Sequence, residues 1–403
     1  MRSVGPMAER LAPGDYDQLH HFVSSGVWDA APLEEELAVQ ANRLVGGPDA
    51  VLVIDDTALP KKGSFSVGVA PQYASALGKN ANCQTLVSLT LARDEVPVAV
   101  GLRLFLPESW TTDAQRMSRA GVPENCRFPR TKPAIALAEI DRVMAAGLTF
   151  GTVLADAGYG LSAPFRHGLS VRGLTWAVGI PGRQKVFPAG VALIFPVAGR
   201  GRPRKNAVPD VLSISAETML DDASWTELSW RIGTKGPLRA KFAAVRVRIA
   251  DGPPQRIWDK GQQHLPGEEA WVIGEYRVSG ERKYYLSNLP ADADLVMLAA
   301  TIKARWICEQ AHQQMKEELG LDHFEGRSWP GLHRHALMTM IAYAFLQHRR
   351  VKAGGGKKNR PRATSADPAR RSQSRFRSTR RPSTTALPTL SHQATATRVK
   401  LPK

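Results

Sequence analysis

The stretch Val51-Leu-Val-Ile-Asp-Asp-Thr57 joins a short apolar run to two carboxylates. A glycine- and proline-rich turn precedes it, so residues 51–54 are predicted to form a buried strand that ends at Asp55. A second run of strand length, 150–155, ends in the same way at Asp156. Ligands collect where strand ends meet in α/β folds, which makes both aspartates candidate functional residues. A role for each as a turn or cap residue stays open at this point.

The segments around these two runs predict an α/β fold. Three strands come first, the last two of them joined by a connection short enough for a hairpin, and then helices alternate with strands. This order predicts antiparallel pairing followed by parallel pairing, as in a ribonuclease H-like mixed sheet with flanking helices. The predicted elements after the first strand are strands 85–91 and 96–106, helix 133–146, strand 150–155, helix 162–170 and strand 174–178.

Changes in composition divide the 403 residues into five segments. Glycines, prolines and short β-rich pieces interrupt the α/β pattern, and two amphipathic helices, over about 294–319 and 332–347, then resume it. The predicted segments are an N-terminal helical region (1–50), the first part of the ribonuclease H-like core (51–182), a β-rich insertion (183–290), a helical completion of the core (291–348) and a disordered basic tail (349–403).

The net charge of +17 is concentrated at one end of the chain. Residues 349–403 carry 16 Lys and Arg against one acid, whereas residues 1–348 carry 38 against 36. Global charge is therefore weak evidence for nucleic-acid binding by the folded body. No apolar run is long enough to span a membrane, and the three cysteines, at 83, 126 and 308, form no disulfide or zinc pattern.

The helical segment Arg305-Trp-Ile-Cys-Glu-Gln-Ala-His-Gln-Gln-Met-Lys316 supplies a third carboxylate. At about 100° per residue, Arg305, Glu309 and Lys316 share one narrow stripe of an ideal helix. A carboxylate between two cations suits a metal ligand flanked by groups that grip phosphate. An ordinary salt-bridged helix face would show the same spacing.

Together these motifs resemble the DDE transposases of bacterial insertion sequences. The helix is similar to the family signature Tyr-x2-Arg-x3-Glu-x6-Lys, although Ile302 occupies the Tyr position. Asp55-Asp-Thr57 and Leu-Ala-Asp-Ala-Gly-Tyr-Gly160 resemble the family's two aspartate sites. The likeness covers about residues 7–350 and does not include the tail.

The resemblance implies a function and a set of site residues. Asp55, Asp156 and Glu309 would be catalytic metal ligands for two Mg²⁺ ions, with Mn²⁺ as an alternative, and Asp56 is an alternate first ligand. Arg305 and Lys316 would hold DNA phosphates. The implied partners are double-stranded DNA, as element ends and as target, and a second copy of the chain. The implied location is the bacterial cytoplasm, at the nucleoid.

Other features carry weaker predictions. Arg200-Gly-Arg-Pro203 resembles an AT-hook core, which enters A·T minor grooves, but a solvated basic loop is the alternative. Five tryptophans could stack on an unpaired base, although core packing is favoured for each: Trp225, Trp230, Trp258, Trp271 and Trp306. Four histidines are predicted to lie at the surface or to contact phosphate: His312, His323, His333 and His335.

Two further hypotheses compete with an active transposase. The expected N-terminal helical region is short and the tail does not resemble the family, which favours a catalytically silent DNA-binding remnant or regulator; a frameshift is one interpretation of the tail. The other alternative is a metal-dependent nuclease without strand transfer. The absence of a phosphate-binding glycine loop and of a GxSxG motif disfavours a metabolic enzyme.

Overall fold

The computed structural model describes residues 28–74, 77–195, 206–233, 236–258 and 261–355, and the isolated positions 14, 17, 18 and 21. The helices in these ranges are Ala31–Val45 (α1), Glu108–Thr111 (α2), Ala114–Arg119 (α3), Lys132–Ala145 (α4), Ala157–Gly160 (α5), Ala163–Val171 (α6), Ala216–Met219 (α7), Leu295–Lys303 (α8), Ile307–Glu317 (α9) and Trp329–Gly355 (α10).

The strands form one large mixed sheet and two small pairs. Their bounds are Gly47–Pro60 (β1), Ala70–Ala74 (β2), Lys79–Arg93 (β3), Val96–Phe105 (β4), Phe150–Ala155 (β5), Trp176–Ile180 (β6), Lys185–Pro188 (β7), Leu193–Ile194 (β8), Val208–Pro209 (β9), Ile214–Ser215 (β10), Thr226–Gly233 (β11), Gly236–Ile249 (β12), Pro254–Arg256 (β13), Gln262–His264 (β14), Glu269–Arg277 (β15) and Arg282–Ser287 (β16).

Five neighbouring strands have the predicted ribonuclease H-like order. Strand β3 pairs antiparallel with both β4 and β1, and β5 pairs parallel with β1 and with β6. A short turn at 94–95 joins β3 to β4, whereas the parallel strands are joined through helices, as parallel crossovers require. The predicted fold class, a mixed α/β sheet with flanking helices, is therefore confirmed.

The β-rich segment extends this same sheet. Strand β16 pairs antiparallel with β6, β15 pairs with β16, and β12 pairs with β15, β7 and β11. The hydrogen-bonded order is β10-β7-β12-β15-β16-β6-β5-β1-β3-β2. The β-rich segment thus joins the core sheet at β6, which would otherwise be an edge strand with unpaired backbone groups.

Helices cover the two faces of the sheet near β1. Leu52 and Ile54 pack in the same cluster as α1, α4 and α6, while Val53 packs in the cluster that includes α8 and the start of α9. Successive strand residues point to opposite faces, so β1 is apolar on both sides. This double burial explains why residues 51–54 form an uninterrupted apolar run.

Several predicted boundaries were wrong, each for a physical reason. Strand β1 does not end at Asp55, because its antiparallel pairing with β3 continues to Pro60, opposite Cys83. It also begins at Gly47, inside the segment predicted to be helical. The predicted helix over 294–319 is divided by a 3-10 turn, Ala304–Trp306. Helix α10 continues to Gly355, past the predicted start of the tail at 349.

Some predictions concern residues outside the described ranges. They are the AT-hook-like residues 200–203, most of the N-terminal helical region before residue 28, and the tail beyond residue 355. Among the described helices, none combines the length and the apolar character that crossing a membrane requires.

A buried ion cluster connects the extended sheet to α8. Glu275, on β15, is fully buried and accepts hydrogen bonds from Lys303 Nζ at 2.7 Å, Arg277 Nε at 2.9 Å and Tyr285 OH at 2.8 Å. Burial opposes ionisation of Glu275, but the hydrogen bond and charge of Lys303 together with the hydrogen bonds of Arg277 and Tyr285 outweigh it and lower the pKa of this carboxyl. The cluster therefore anchors the end of α8 to the added strands.

We predict that Glu275→Ala lowers the free energy of unfolding by about 3–5 kcal/mol, because it leaves the Lys303 ammonium in an apolar site without its partner. Glu269→Ala on the same strand is the matched control. Its side chain is 54% exposed and pairs with Arg246 at 3.1 Å, so its loss is expected to cost less than about 1 kcal/mol. Urea unfolding of both variants measures the difference, and equal costs would contradict an anchoring role for Glu275.

Candidate active site

Strand register places Asp55 and Asp156 side by side. The parallel pairing of β1 with β5 ends at Ile54 opposite Ala155, and in both segments the next residue is an aspartate. Strand β5 stops at Ala155, and Asp156 caps the short helix α5 by accepting from the backbone N–H groups of Gly158 and Tyr159 at 3.0 and 3.2 Å. Asp156 is thus a helix cap and a neighbour of Asp55 at the same time.

The two adjacent aspartates of β1 face different helices. The Asp56 carboxylate accepts from Lys132 Nζ of α4 and from Tyr159 OH, both at 2.5 Å. The Asp55 side chain points to the other face, toward α9, because consecutive residues of a strand alternate. Asp55 therefore shares a face with Glu309, whereas Asp56 already has a cationic partner of its own.

Arg305 joins two of the three carboxylates predicted to act together. Its Nη1 lies 2.6 Å from Asp55 Oδ2 and its Nη2 lies 2.7 Å from Glu309 Oε1. The Asp55 side chain is 15% exposed and that of Glu309 is 61% exposed, so the bridge runs from the sheet to the solvent. Arg305 belongs to the 3-10 turn before α9, yet its four-residue spacing from Glu309 still brings the two side chains together.

Asp156 lies in an environment that disfavours its charge. Burial raises the pKa of the Asp156 carboxyl, and the negative charge of Asp55 raises it further. The nearby Arg305 guanidinium and the hydrogen bond from the Tyr159 backbone act in the opposite direction but do not cancel the rise. Burial, with the neighbouring charge of Asp55, therefore favours the protonated form of Asp156.

Three residues that the sequence did not single out for catalysis complete the contacts of Asp55. The Cys308 thiol donates to Asp55 Oδ2 at 3.2 Å, and Ser88 Oγ donates to the Asp55 carbonyl at 2.9 Å. His312 Nε2 lies 2.8 Å from Ser88 Oγ. Cys308 and His312 stand beside Glu309 in the chain, which was the available signal; Ser88 had none, since only strand pairing brings it opposite Asp55.

The prediction of surface histidines was wrong for His312 and His333. His312 is 7% exposed, and burial lowers the pKa of both rings to about 4. The His333 ring hydrogen-bonds the Trp329 carbonyl at 2.9 Å, and His335 lies 3.0 Å from the Gly320 carbonyl. His323 is exposed, as predicted. The helical register of α9 and α10 turns the other rings inward.

Lys316, which is predicted to contact phosphate, and Lys61, which follows β1, both have partners within the protein. Lys316 Nζ donates to the Ala58 carbonyl at 2.9 Å, and burial lowers the pKa of this ammonium group. Lys61 Nζ donates to the carbonyls of Asp322 and Phe324. Lys316 therefore ties the end of α9 to β1, a few residues beyond Asp55.

Two tryptophans near the site pack against cations, one on an added strand and one at the end of α8. The Arg231 guanidinium lies 3.7 Å from the Trp306 ring centroid, and Lys303 Nζ lies 4.3 Å from that of Trp230. These contacts favour a packing role for both rings. Trp258 and Trp271 each donate an indole hydrogen bond to a backbone carbonyl at 3.0 Å, and Trp225 packs edge-on to Tyr276.

A cavity of about 670 Å³ opens beside the carboxylates. Its lining includes the carboxylates of Asp56 and Asp156 and the cations Arg130 and Lys132. The apolar and hydroxyl groups in between suit a ligand that has both flat apolar surfaces and charge, such as a nucleotide. The cavity's other lining residues are Phe105, Leu106, Glu108, Thr111, Thr112, Pro129, Thr131, Pro133, Gly158 and Tyr159.

The donor chemistry of the site fits a divalent cation. Asp55, Asp156 and Glu309 offer carboxylate oxygens, which Mg²⁺ and Mn²⁺ prefer, and their charge is offset here by a guanidinium. As the side chains stand, no three His, Cys, Asp or Glu residues in the described ranges are grouped closely enough to hold a metal ion. A cation at this position would therefore take the place of Arg305 between the carboxylates.

Two family models match the chain. A model described as DDE superfamily endonuclease matches residues 1–237, and one described as Transposase DDE domain matches residues 131–345. Each covers more than half of the chain, and together they include Asp55, Asp156 and Glu309.

Individual proteins are also similar to parts of this chain. A probable transposase for insertion sequence element IS701 from Microchaete diplosiphon is 33% identical over 162 residues, which is 40% of each chain, so the match spans about two-fifths of that relative. The piggyBac transposase in a synaptic complex with hairpin DNA shares 11% identity, with a TM-score of 0.36 over 78% of this chain and 50% of that one. The NurA nuclease from Sulfolobus solfataricus shares 9%, with a TM-score of 0.23 over 90% and 100%.

We predict that Asp156→Asn stabilises the metal-free protein at neutral pH by about 1 kcal/mol, because the amide keeps the helix cap and removes the repelled charge. The folded protein raises the pKa of Asp156. The wild type therefore loses stability as the pH rises from the ordinary carboxyl range through the raised value. The stability gained by Asp156→Asn is therefore expected at pH values above the raised pKa. It disappears below the ordinary carboxyl range, where Asp156 of the wild type is protonated.

Thermal unfolding in chelator at several pH values measures this difference. Asp113→Asn is the matched control, because Asp113 caps α3 by accepting from the Arg116 backbone at 2.8 Å in the same way. A gain for Asp156→Asn that persists unchanged in acid would show that charge repulsion is not its cause.

Proposed function

Because this chain belongs to the DDE superfamily of transposases and endonucleases, we propose that it cuts DNA at the ends of an insertion sequence and joins those ends to target DNA. The observation that carries the proposal is the position of Arg305, which pairs with Asp55 and Glu309 and whose charge opposes the rise in the pKa of Asp156, although the three carboxylates come from elements far apart in sequence. Cations held by such carboxylates would offset the negative charge that develops on oxygen during phosphoryl transfer.

In this proposal the three carboxylates are the metal ligands. Two divalent cations, Mg²⁺ or Mn²⁺, supply activation of a water or of a DNA 3′-hydroxyl and stabilisation of the leaving oxygen when they are bound. Asp55 and Asp156 fix one side of the site on the rigid sheet, and Glu309 closes the other side from α9. Asp56 holds Lys132 at 2.5 Å instead and is not a ligand.

Arg305 is proposed to change partners. Its guanidinium offsets Asp55 and Glu309 in the metal-free protein, and its planar fork of donors suits phosphate as well as carboxylate. With Asp55 and Glu309 held by cations, Arg305 would be free to hold a phosphate of the bound DNA. Lys316, near the other end of the same helix, is proposed to contact the DNA backbone as well.

The proposed substrates are double-stranded DNA ends of the element and target DNA. The cavity beside Asp156, with Arg130 and Lys132 in its lining, supports passage of a strand at this position. Two copies of the chain are proposed to assemble on DNA, as the resemblance to insertion-sequence transposases implies.

The test uses purified protein and end-labelled DNA that flanks this gene, with Mg²⁺ or chelator. We expect discrete cuts at the element boundary that disappear in chelator. We further expect Asp55→Asn, Asp156→Asn and Glu309→Gln each to lower the cutting rate by on the order of a thousandfold or more, because charged ligands are replaced by neutral amides.

Asp56→Asn is the matched control, because it is the neighbour of Asp55 on the same strand but faces Lys132; we expect it to retain cutting. Rapid cutting by Glu309→Gln would contradict the proposed triad. Specific binding without cutting by the wild type would indicate the silent DNA-binding remnant. Cutting without joining of the ends to target DNA would indicate a nuclease.

A further inference from the structure

A chain of buried hydrogen bonds connects the helix of Glu309 to the strand of Asp55. His312 Nε2 lies 2.8 Å from Ser88 Oγ, and Ser88 Oγ donates to the Asp55 carbonyl oxygen at 2.9 Å. Ser88 is fully buried on β3, directly opposite Asp55 in the antiparallel register. These two hydrogen bonds connect three elements, α9, β3 and β1, at the centre of the site.

The direction of each hydrogen bond follows from the donors available. The Ser88 hydroxyl donates its only hydrogen to the Asp55 carbonyl, so Ser88 Oγ must accept the hydrogen bond from His312. The imidazole of His312 therefore carries its hydrogen on Nε2. Burial lowers the pKa of His312 to about 4, so the ring is neutral at physiological pH. A neutral ring adds no charge to a site that already holds three carboxylates.

Asp55 has other close contacts with α9 and with the turn before it, and these involve carboxylate oxygens that a metal ion would bind. Arg305 bridges Asp55 Oδ2 to Glu309 Oε1, and the Cys308 thiol donates to the same Asp55 Oδ2. A cation that takes these oxygens removes the Arg305 bridge. The His312–Ser88 link ends on a backbone carbonyl and leaves both carboxylates free.

We propose that His312 and Ser88 are positioning residues that hold Glu309 opposite Asp55 while the carboxylates bind metal. Glu309 and His312 are three residues apart on α9 and so lie on the same side of the helix. The link to Ser88 thereby sets the distance of Glu309 from the sheet. This inference rests on the proposed function, because it assigns these residues a part in the same site.

The test measures Mn²⁺ affinity of the full chain by electron paramagnetic resonance of the free ion, beside DNA binding in chelator and cleavage kinetics. We expect His312→Leu to weaken Mn²⁺ affinity about tenfold, the factor that corresponds to one buried hydrogen bond. Cleavage should lose kcat with an unchanged KM for DNA, and DNA affinity in chelator should not change.

Two more variants separate the link from folding. Ser88→Ala removes the hydroxyl with little change in volume, and we expect it to weaken Mn²⁺ affinity as His312→Leu does, even if the larger substitution unfolds the protein. His312→Gln places an amide N–H near the position of Nε2 and should restore most of the affinity. His333→Leu is the matched control, since His333 is another neutral, hydrogen-bonded histidine outside the site.

Each outcome decides the proposal. Unchanged Mn²⁺ affinity in Ser88→Ala and His312→Leu, in a wild type that binds Mn²⁺ and cuts DNA, would overturn the positioning role and leave the transposase proposal standing. An equal loss in His333→Leu would overturn it as well, because the effect would then be general destabilisation. A wild type that neither binds Mn²⁺ nor cuts DNA would overturn the proposed function and this inference with it.

Discussion

The burial of Asp156 beside the charge of Asp55 is the constraint on which the site depends. Parallel pairing of β1 with β5 brings two carboxylates together at the point where β5 stops, and burial strengthens their mutual repulsion. A cation must lie close by, and in the metal-free protein Arg305 takes that place. The same environment disfavours the Asp156 charge in the metal-free protein, and in the proposed function it would favour the binding of divalent cations.

Helix segments α8 and α9 bring the third carboxylate to this pair, and they are attached at several points. Lys303, at the end of α8, pairs with the buried Glu275 of the extended sheet. His312 and Lys316 connect α9 to β3 and β1 through neutral and backbone partners. The 3-10 turn between the helices lies between these anchors and carries Arg305. The added strands thus do more than lengthen the sheet: they anchor the end of α8, directly before the turn that leads to the helix of Glu309.

Alternation along β1 separates the roles of two adjacent aspartates. Asp55 faces α9 and its charged and hydrogen-bonding groups, whereas Asp56 faces α4 and binds Lys132 and Tyr159. The division follows from the geometry of any strand that is covered on both faces. It places a structural ion pair and a candidate metal ligand within one peptide bond of each other, which the linear motif Asp-Asp-Thr does not distinguish.

The sequence by itself determined the fold class, because the order of the core elements follows from local apolar runs. It also nominated the three candidate carboxylates, through short motifs and their resemblance to a known family. Boundaries that depend on partners were decided by tertiary structure: β1 continues past Asp55 because β3 pairs with it to Pro60, and the β-rich segment joins the sheet because β16 pairs with β6. The inward positions of Ser88 and His312 were likewise decided by packing. Ser88 lies 221 residues before Glu309 in the chain, and only the register of β3 against β1 brings the two to one site.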